Sequence, residues 1–143
     1  MSIRNNILAS LKTDLTNITV ANGYSTDLVD VKRGIYMLED FDIMPAIAFW
    51  CYKDDIEVHM AHSKKQRLLL IQMYLYADND GDGNTDNIHN LAEDVEKFLY
   101  STNGNWTYQE QTMLGDELVI YEGGVEDPHS IAVLALKIRY LQE

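Results

Sequence analysis

The chain has 143 residues, enough for one domain with a substantial core, and 11 Lys+Arg against 23 Asp+Glu give a formal net charge of −12. A composition of 46% hydrophobic and 24% charged residues is that of a globular protein, not of a disordered acidic tail. The acidity argues against a general nucleic-acid binder, which needs clustered Lys and Arg, and the single cysteine, Cys51, excludes an intrachain disulfide and a Cys-based zinc site.

In chain order, the first predicted element is an amphipathic helix. Ile3, Ile7, Leu8, Leu11, Leu15 and Ile18 recur three or four apart, with Ser2 as the N-cap and Asn22-Gly23 as the stop. Arg4, Lys12 and Asp14 interrupt this segment, so it is not read as a signal peptide, and no stretch approaches the roughly 18–20 apolar residues of a membrane span. The expectation is a protein made in the cytosol, with no membrane partner.

Strands follow. Residues 29–38 alternate in polarity, with Gly34 marking a bulge or a close backbone approach. The acidic stretch Glu39-Asp40-Phe41-Asp42 leads to Pro45, which opens a strand through Tyr52; Asp54-Asp55 reads as a turn, and Ile56, Val58 and Met60 as the next alternating strand. A second turn at 63–66 feeds the run 67–77, which is apolar on both faces and predicts the central strand. After the polar loop 78–86, Ile88, Leu91, Ala92, Val95, Phe98 and Leu99 predict a second helix with Asp86 as its N-cap. A break at 101–105, two strands around 106–113 and 117–121, a loop at 122–128 and a final strand 131–140 complete the chain. In that strand Ala132, Leu134, Leu136, Ile138 and Tyr140 share one face, with Lys137 and Arg139 on the other. The order predicts a single α+β domain spanning 1–143, a mostly antiparallel β-sheet with two helices packed on one face.

The charge is uneven. Residues 1–77 carry nine acids and eight bases, whereas 78–143 carry fourteen acids and three bases. Asp78, Asp80 and Asp82 occupy positions 1, 3 and 5 of a calcium-loop pattern, with Gly83 at position 6 and Asp86 at position 9. Thr85 and His89 stand where an EF-hand has a branched apolar residue and a bidentate Glu, and the preceding element is a strand, so the simpler reading is a solvated acidic turn with no cofactor. His59, His62, His89 and His129 read as scattered surface residues, and Cys51 as an inert or interface thiol. Lys64, Lys65 and Arg67 form the only basic cluster, either a solvated hairpin tip or a contact for an acidic neighbour such as a second copy. No nucleophile–base pair, nucleophile elbow or phosphate loop is present, and the chain reads as non-enzymatic.

The layout resembles that of the tail terminator and tail-completion (neck) proteins of tailed bacteriophages. The matching features are the N-terminal helix IRNNILASLKTDL, the short strand ending Val31-Lys32-Arg33-Gly34 and the Pro-led strand from Pro45 to Phe49 after an acidic loop. A hairpin into the apolar strand 68–77, the helix 87–99 and the closing strand 130–140 complete the likeness, which covers nearly all of the chain. The resemblance implies a structural virion protein of the tail or neck, assembled in the host cytoplasm. Such proteins form a hexameric ring that caps the tail tube, stops its polymerisation and meets the neck or head connector, while DNA passes without specific binding. It also implies Lys64, Lys65 and Arg67 as intersubunit or tube contacts. Asp78, Asp80, Asp82, Asp86, Glu93, Asp94 and Glu96 become candidates for the lumen or upper rim. A different neck-completion protein, or a calcium-dependent binding module using Asp78, Asp80, Asp82 and Asp86, are the alternatives.

Overall fold

The computed structural model describes residues 2–59, 64–100 and 104–142. Helix α1 (Ile3–Leu15) is followed by strand β1 (Asp30–Arg33), β2 (Ala46–His59), β3 (Lys65–Asp78), α2 (Asp86–Tyr100), β4 (Thr112–Tyr121) and β5 (His129–Gln142). The five strands form one sheet in the order β1-β2-β3-β5-β4, parallel only between β1 and β2. The α+β class, the mostly antiparallel sheet and the central position of the 67–77 run are as the sequence predicts.

Alternation along the long strands creates two unlike faces. Leu69, Ile71, Met73 and Leu75 of β3 stand in register with Ile138, Leu136, Leu134 and Ala132 of β5, and all eight are buried. Phe49 and Ile47 of β2 extend this layer. Ile7, Leu8, Leu11 and Leu15 of α1 pack on it together with Ile88, Leu91, Val95 and Phe98 of α2, so both helices cover the same face. Ser2 caps α1, its hydroxyl accepting from the Asn5 N–H at 3.1 Å.

Several local expectations give way to tertiary contacts. Helix α1 ends at Thr16, and Gly23, with φ +92°, instead closes the 3₁₀ turn Val20–Asn22. Strand β1 stops at Arg33: Gly34 donates its N–H to the Phe49 carbonyl, takes φ +129°, and would bring a Cβ to 3.2 Å from the Tyr36 ring. Asp54-Asp55 is no turn. Strand β2 runs on through it with register shifts at Cys51/Lys53 and Ile56/Val58, each adding an unpaired residue to β2. The 106–113 segment is a buried Trp106 followed by a 3₁₀ turn (Gln109–Gln111), because Thr112 Oγ1 accepts from the indole N–H and donates to the Tyr108 carbonyl, both at 2.7 Å. Strand β4 then continues unbroken, with one register shift between Leu114 and Leu118. Asp86 is the first residue within α2 and not its cap, although its carboxylate still lies at the positive end of the dipole. Of the expected turn at 63–66, Lys65 and Gln66 belong instead to β3, paired with His59 and Val58, while Met60, His62, Ser63 and most of the break at 101–105 lie outside the described residues.

The face assignment is checked by two adjacent truncations. Ile71→Ala removes a fully buried side chain under the helices and should cost about 2–5 kcal/mol in urea unfolding. Leu70→Ala, on the opposite face, should cost less than half as much; equal losses would contradict the two-faced sheet.

Candidate functional site

Three regions carry the chemistry. The first is an acidic end, where β3 leaves the sheet and β5 enters it. Asn79 ties the loop after β3 to the loop before β5: its N–H donates to the Pro128 carbonyl at 2.6 Å, and its side-chain oxygen accepts from the Ser130 hydroxyl at 2.7 Å. Ser130 Oγ in turn accepts from the Gly123 N–H. Gly123 sits so close that a Cβ there would collide with the Asp127 and His129 carbonyls. Two histidine–carboxylate pairs lie at the same end, His129 with Asp78 at 2.6 Å and His89 of α2 with Glu122. Hydrogen bonds from His89 and then Thr85 hold the Glu122 carboxyl below the usual carboxylate range.

Asp78, Asp80, Asp82 and Asp86 are exposed at this end but do not converge. Asp78 is engaged by His129, Asp80 lies beside the Asn87 amide, and Asp82 accepts from the Asn84 N–H. Among the described residues no three His, Cys, Asp or Glu side chains gather as a metal would require. The calcium reading thus rests on spacing alone. Glu93 is exposed and Glu96 partly exposed on α2. Asp94 departs from the expectation of a rim residue: it is buried, and both its oxygens accept from the Ser25 N–H at 3.1 Å, fastening the loop after α1 to α2.

The second region lies at the far end of the sheet. Lys64 and Lys65 stand at the start of β3, one strand length from Asp78, or about 43 Å over fourteen residues. Arg67 does not join them. Its odd position in β3 puts it on the helix side, where Nη1 is 3.8 Å from Asp54 Oδ1 and Nε donates to the Gln142 side chain. Asp54 is only 8% exposed; its Oδ2 accepts from Arg4 Nε at 2.8 Å and from the Tyr140 hydroxyl, while Oδ1 lacks a hydrogen-bond donor. Burial, reinforced by the bond to Asp54, pushes the Tyr140 phenol up, and the Arg4 guanidinium is likewise raised by Tyr140 and Asp54. The sequence reading missed this cluster. Its signal was parity, for Arg67 and Tyr140 fall on the same stripes as Leu69 and Ile138.

The third region is the sheet face away from the helices. Residues 34–45 cross it as a strap, with Phe41 buried and Tyr36, Leu38 and Met44 half-buried against Ala46, Ala48 and Tyr76. The Tyr76 hydroxyl donates to the Tyr36 carbonyl at 2.8 Å, and Lys32 lies over the Tyr36 and Phe41 rings. Beside the strap a groove of about 570 Å³ opens, lined by Met37, Tyr74, Val119, Tyr121 and Val133.

In comparisons with known proteins, no family model matches the chain and no curated protein matches it.

Two measurements test these assignments. Burial raises the Tyr76 phenol to about 12, above the ~10 of an unfolded tyrosine. Its stabilisation is therefore complete below pH ~10 and is lost as pH rises through about 12. Tyr76→Phe should flatten the alkaline limb of thermal stability; an unchanged limb would remove Tyr76 as the cause. Asp54→Ala should cost about 3 kcal/mol in chemical denaturation by leaving Arg67 and Tyr140 without their shared partner.

Proposed function

We propose that this chain is a structural virion protein, a tail terminator. Its copies form a ring, six by the resemblance, that caps the tail tube, stops its growth and joins it to the neck or head connector. The role is one of assembly and not of catalysis. The observation that supports this reading best is the acidic end, where the 78–86 and 122–129 loops are tied together by Asn79 with Ser130, Asp78 with His129 and Thr85 with Glu122, and His89 of α2 also holds Glu122. The carboxylates there form a fixed negative surface, and a negative surface repels DNA phosphates instead of gripping them. Turned toward the axis of a ring, Asp80, Asp82, Asp86, Glu93 and Glu96 suit a duct through which DNA slides.

The distribution of charge along β3 fits the same picture. Lys64 and Lys65 stand at one end of the strand and the acidic loops at the other, so a subunit offers unlike patches to its surroundings. Heterologous contacts between unlike patches close into rings where the rotation from one neighbour to the next closes. In this reading Lys64 and Lys65 meet the tube or a neighbour, whereas Arg67 serves the subunit's interior through Asp54. Among the described residues no helix is long and apolar enough to cross a membrane, and no membrane partner is proposed.

Light scattering coupled to size exclusion should give a mass several times that of one chain, with ring particles in electron micrographs. A strict monomer at high concentration, with or without tail tubes, would overturn the reading. The same run with calcium or chelator should leave mass and melting temperature unchanged. A melting temperature raised by calcium, with the rise abolished by Asp80→Ala, would replace it by the calcium-dependent module.

A further inference from the structure

The strap has two sides. Tyr36, Leu38, Phe41 and Met44 pack on the sheet beneath, whereas Ile35, Met37 and Ile43 of the same strap are 71%, 52% and 60% exposed, Met37 at the rim of the groove. Three large apolar side chains within nine residues form a concentration of exposed apolar surface that a lone soluble domain seldom presents. Glu39 and Asp42 are interleaved with them, and among the described residues neither forms an ion pair or a side-chain hydrogen bond.

The strap's own sheet supplies a complementary surface that the strap does not reach. It covers the end of the open face at Ala46, Ala48 and Tyr76. Farther along, Trp50, Leu70, Ala135 and Met113 lie half-buried on the same face. Lys137 stands among them, in register with Leu70 on one side and Met113 on the other, and among the described residues it too forms no ion pair. Arg139, two residues on, is exposed and bonded to Glu57 at the border of the patch. One chain therefore carries an apolar–acidic strap and an apolar–basic sheet surface, each with charges that find no partner among the described residues.

We propose that the occupant of the uncovered sheet surface is a second copy of this chain, whose strap lays Ile35, Met37 and Ile43 on Trp50, Leu70 and Met113 while Glu39 and Asp42 meet Lys137. Complementary apolar area provides the adhesion and the charge pairs set the register between copies. The two patches differ, so the contact is heterologous and can repeat from subunit to subunit. The contact deepens the ring reading, on which it rests, by naming the surfaces that join neighbours.

The test is charge reversal and its rescue, read as the concentration at which half of the chains are assembled. Lys137→Glu and Asp42→Lys should each raise that concentration by about tenfold, and the two together should bring it back toward wild type. Melting temperatures and circular dichroism of each variant control for folding. A second arm mixes Asp42→Cys chains with Lys137→Cys chains, both carrying Cys51→Ala, under mild oxidation; a disulfide joining one chain of each kind is expected. Assembled wild type with unaltered variants and no disulfide would overturn this contact while leaving the ring intact. A wild type that stops at a reciprocal dimer, with the rescue and the disulfide both present, would keep the contact and overturn the ring. Monomeric wild type would overturn both.

Discussion

The structure depends on the alternation of side chains along β3. Its odd-numbered residues from 67 to 77 point toward the helices and its even-numbered residues from 68 to 76 toward the other face, and the register with β5 keeps this division for fourteen residue pairs. A slip of one residue would put Gln72 under α1 and α2 and expel Ile71 and Met73, so register and burial enforce one another. Both helices are bound by this constraint. Neither spans more than fifteen residues, and their apolar stripes are stable against water only while the odd face stays turned to them.

The same alternation explains what was legible in the sequence. Helices α1 and α2, strand β3 and the two faces of β5 are long periodic runs, in which local pattern and tertiary burial agree. The misread places are those where a single contact outranks pattern. Asp54-Asp55 has the composition of a turn, yet Arg4, Arg67 and Tyr140 draw the Asp54 carboxylate inward and β2 continues. Trp106 has the composition of a strand residue, yet its indole N–H finds Thr112 only if the chain turns between them. Such partners are distant in sequence or set by one hydrogen bond, and no window of local composition contains them.

The candidate surfaces were legible to different degrees for the same reason. The acidic loop stands out as a run of carboxylates, and it is exposed as a run of carboxylates must be. Its grouping with residues 122–129 depends on Asn79 and Ser130, two ordinary polar residues whose importance comes from facing each other across β3 and β5. Asp94 differs from its neighbours Glu93 and Glu96 only by helical phase, which turns it inward to cap the Ser25 N–H. In the basic segment Lys65 and Arg67 share a parity, and partners separate them: Arg67 reaches Asp54 and the Gln142 side chain. Charge counted along a sequence is therefore a weaker guide to surface than charge counted along one face.

That distinction bears on what the excess acidity does. A net charge of −12 would, spread evenly, act only as self-repulsion and solubility. Here the fold concentrates it on loops at one end, places Lys137 on an apolar sheet surface, and leaves Glu39 and Asp42 on a strap whose outer side is apolar. Apolar adhesion without charge would let copies stack in many registers, and charge without apolar area would bind weakly at physiological salt. Combined on two unlike patches of one chain, as in the proposed contact, they would select a single register. The acidic end takes no part in the proposed contact, so a ring built on that contact would also multiply one negative surface around a common axis.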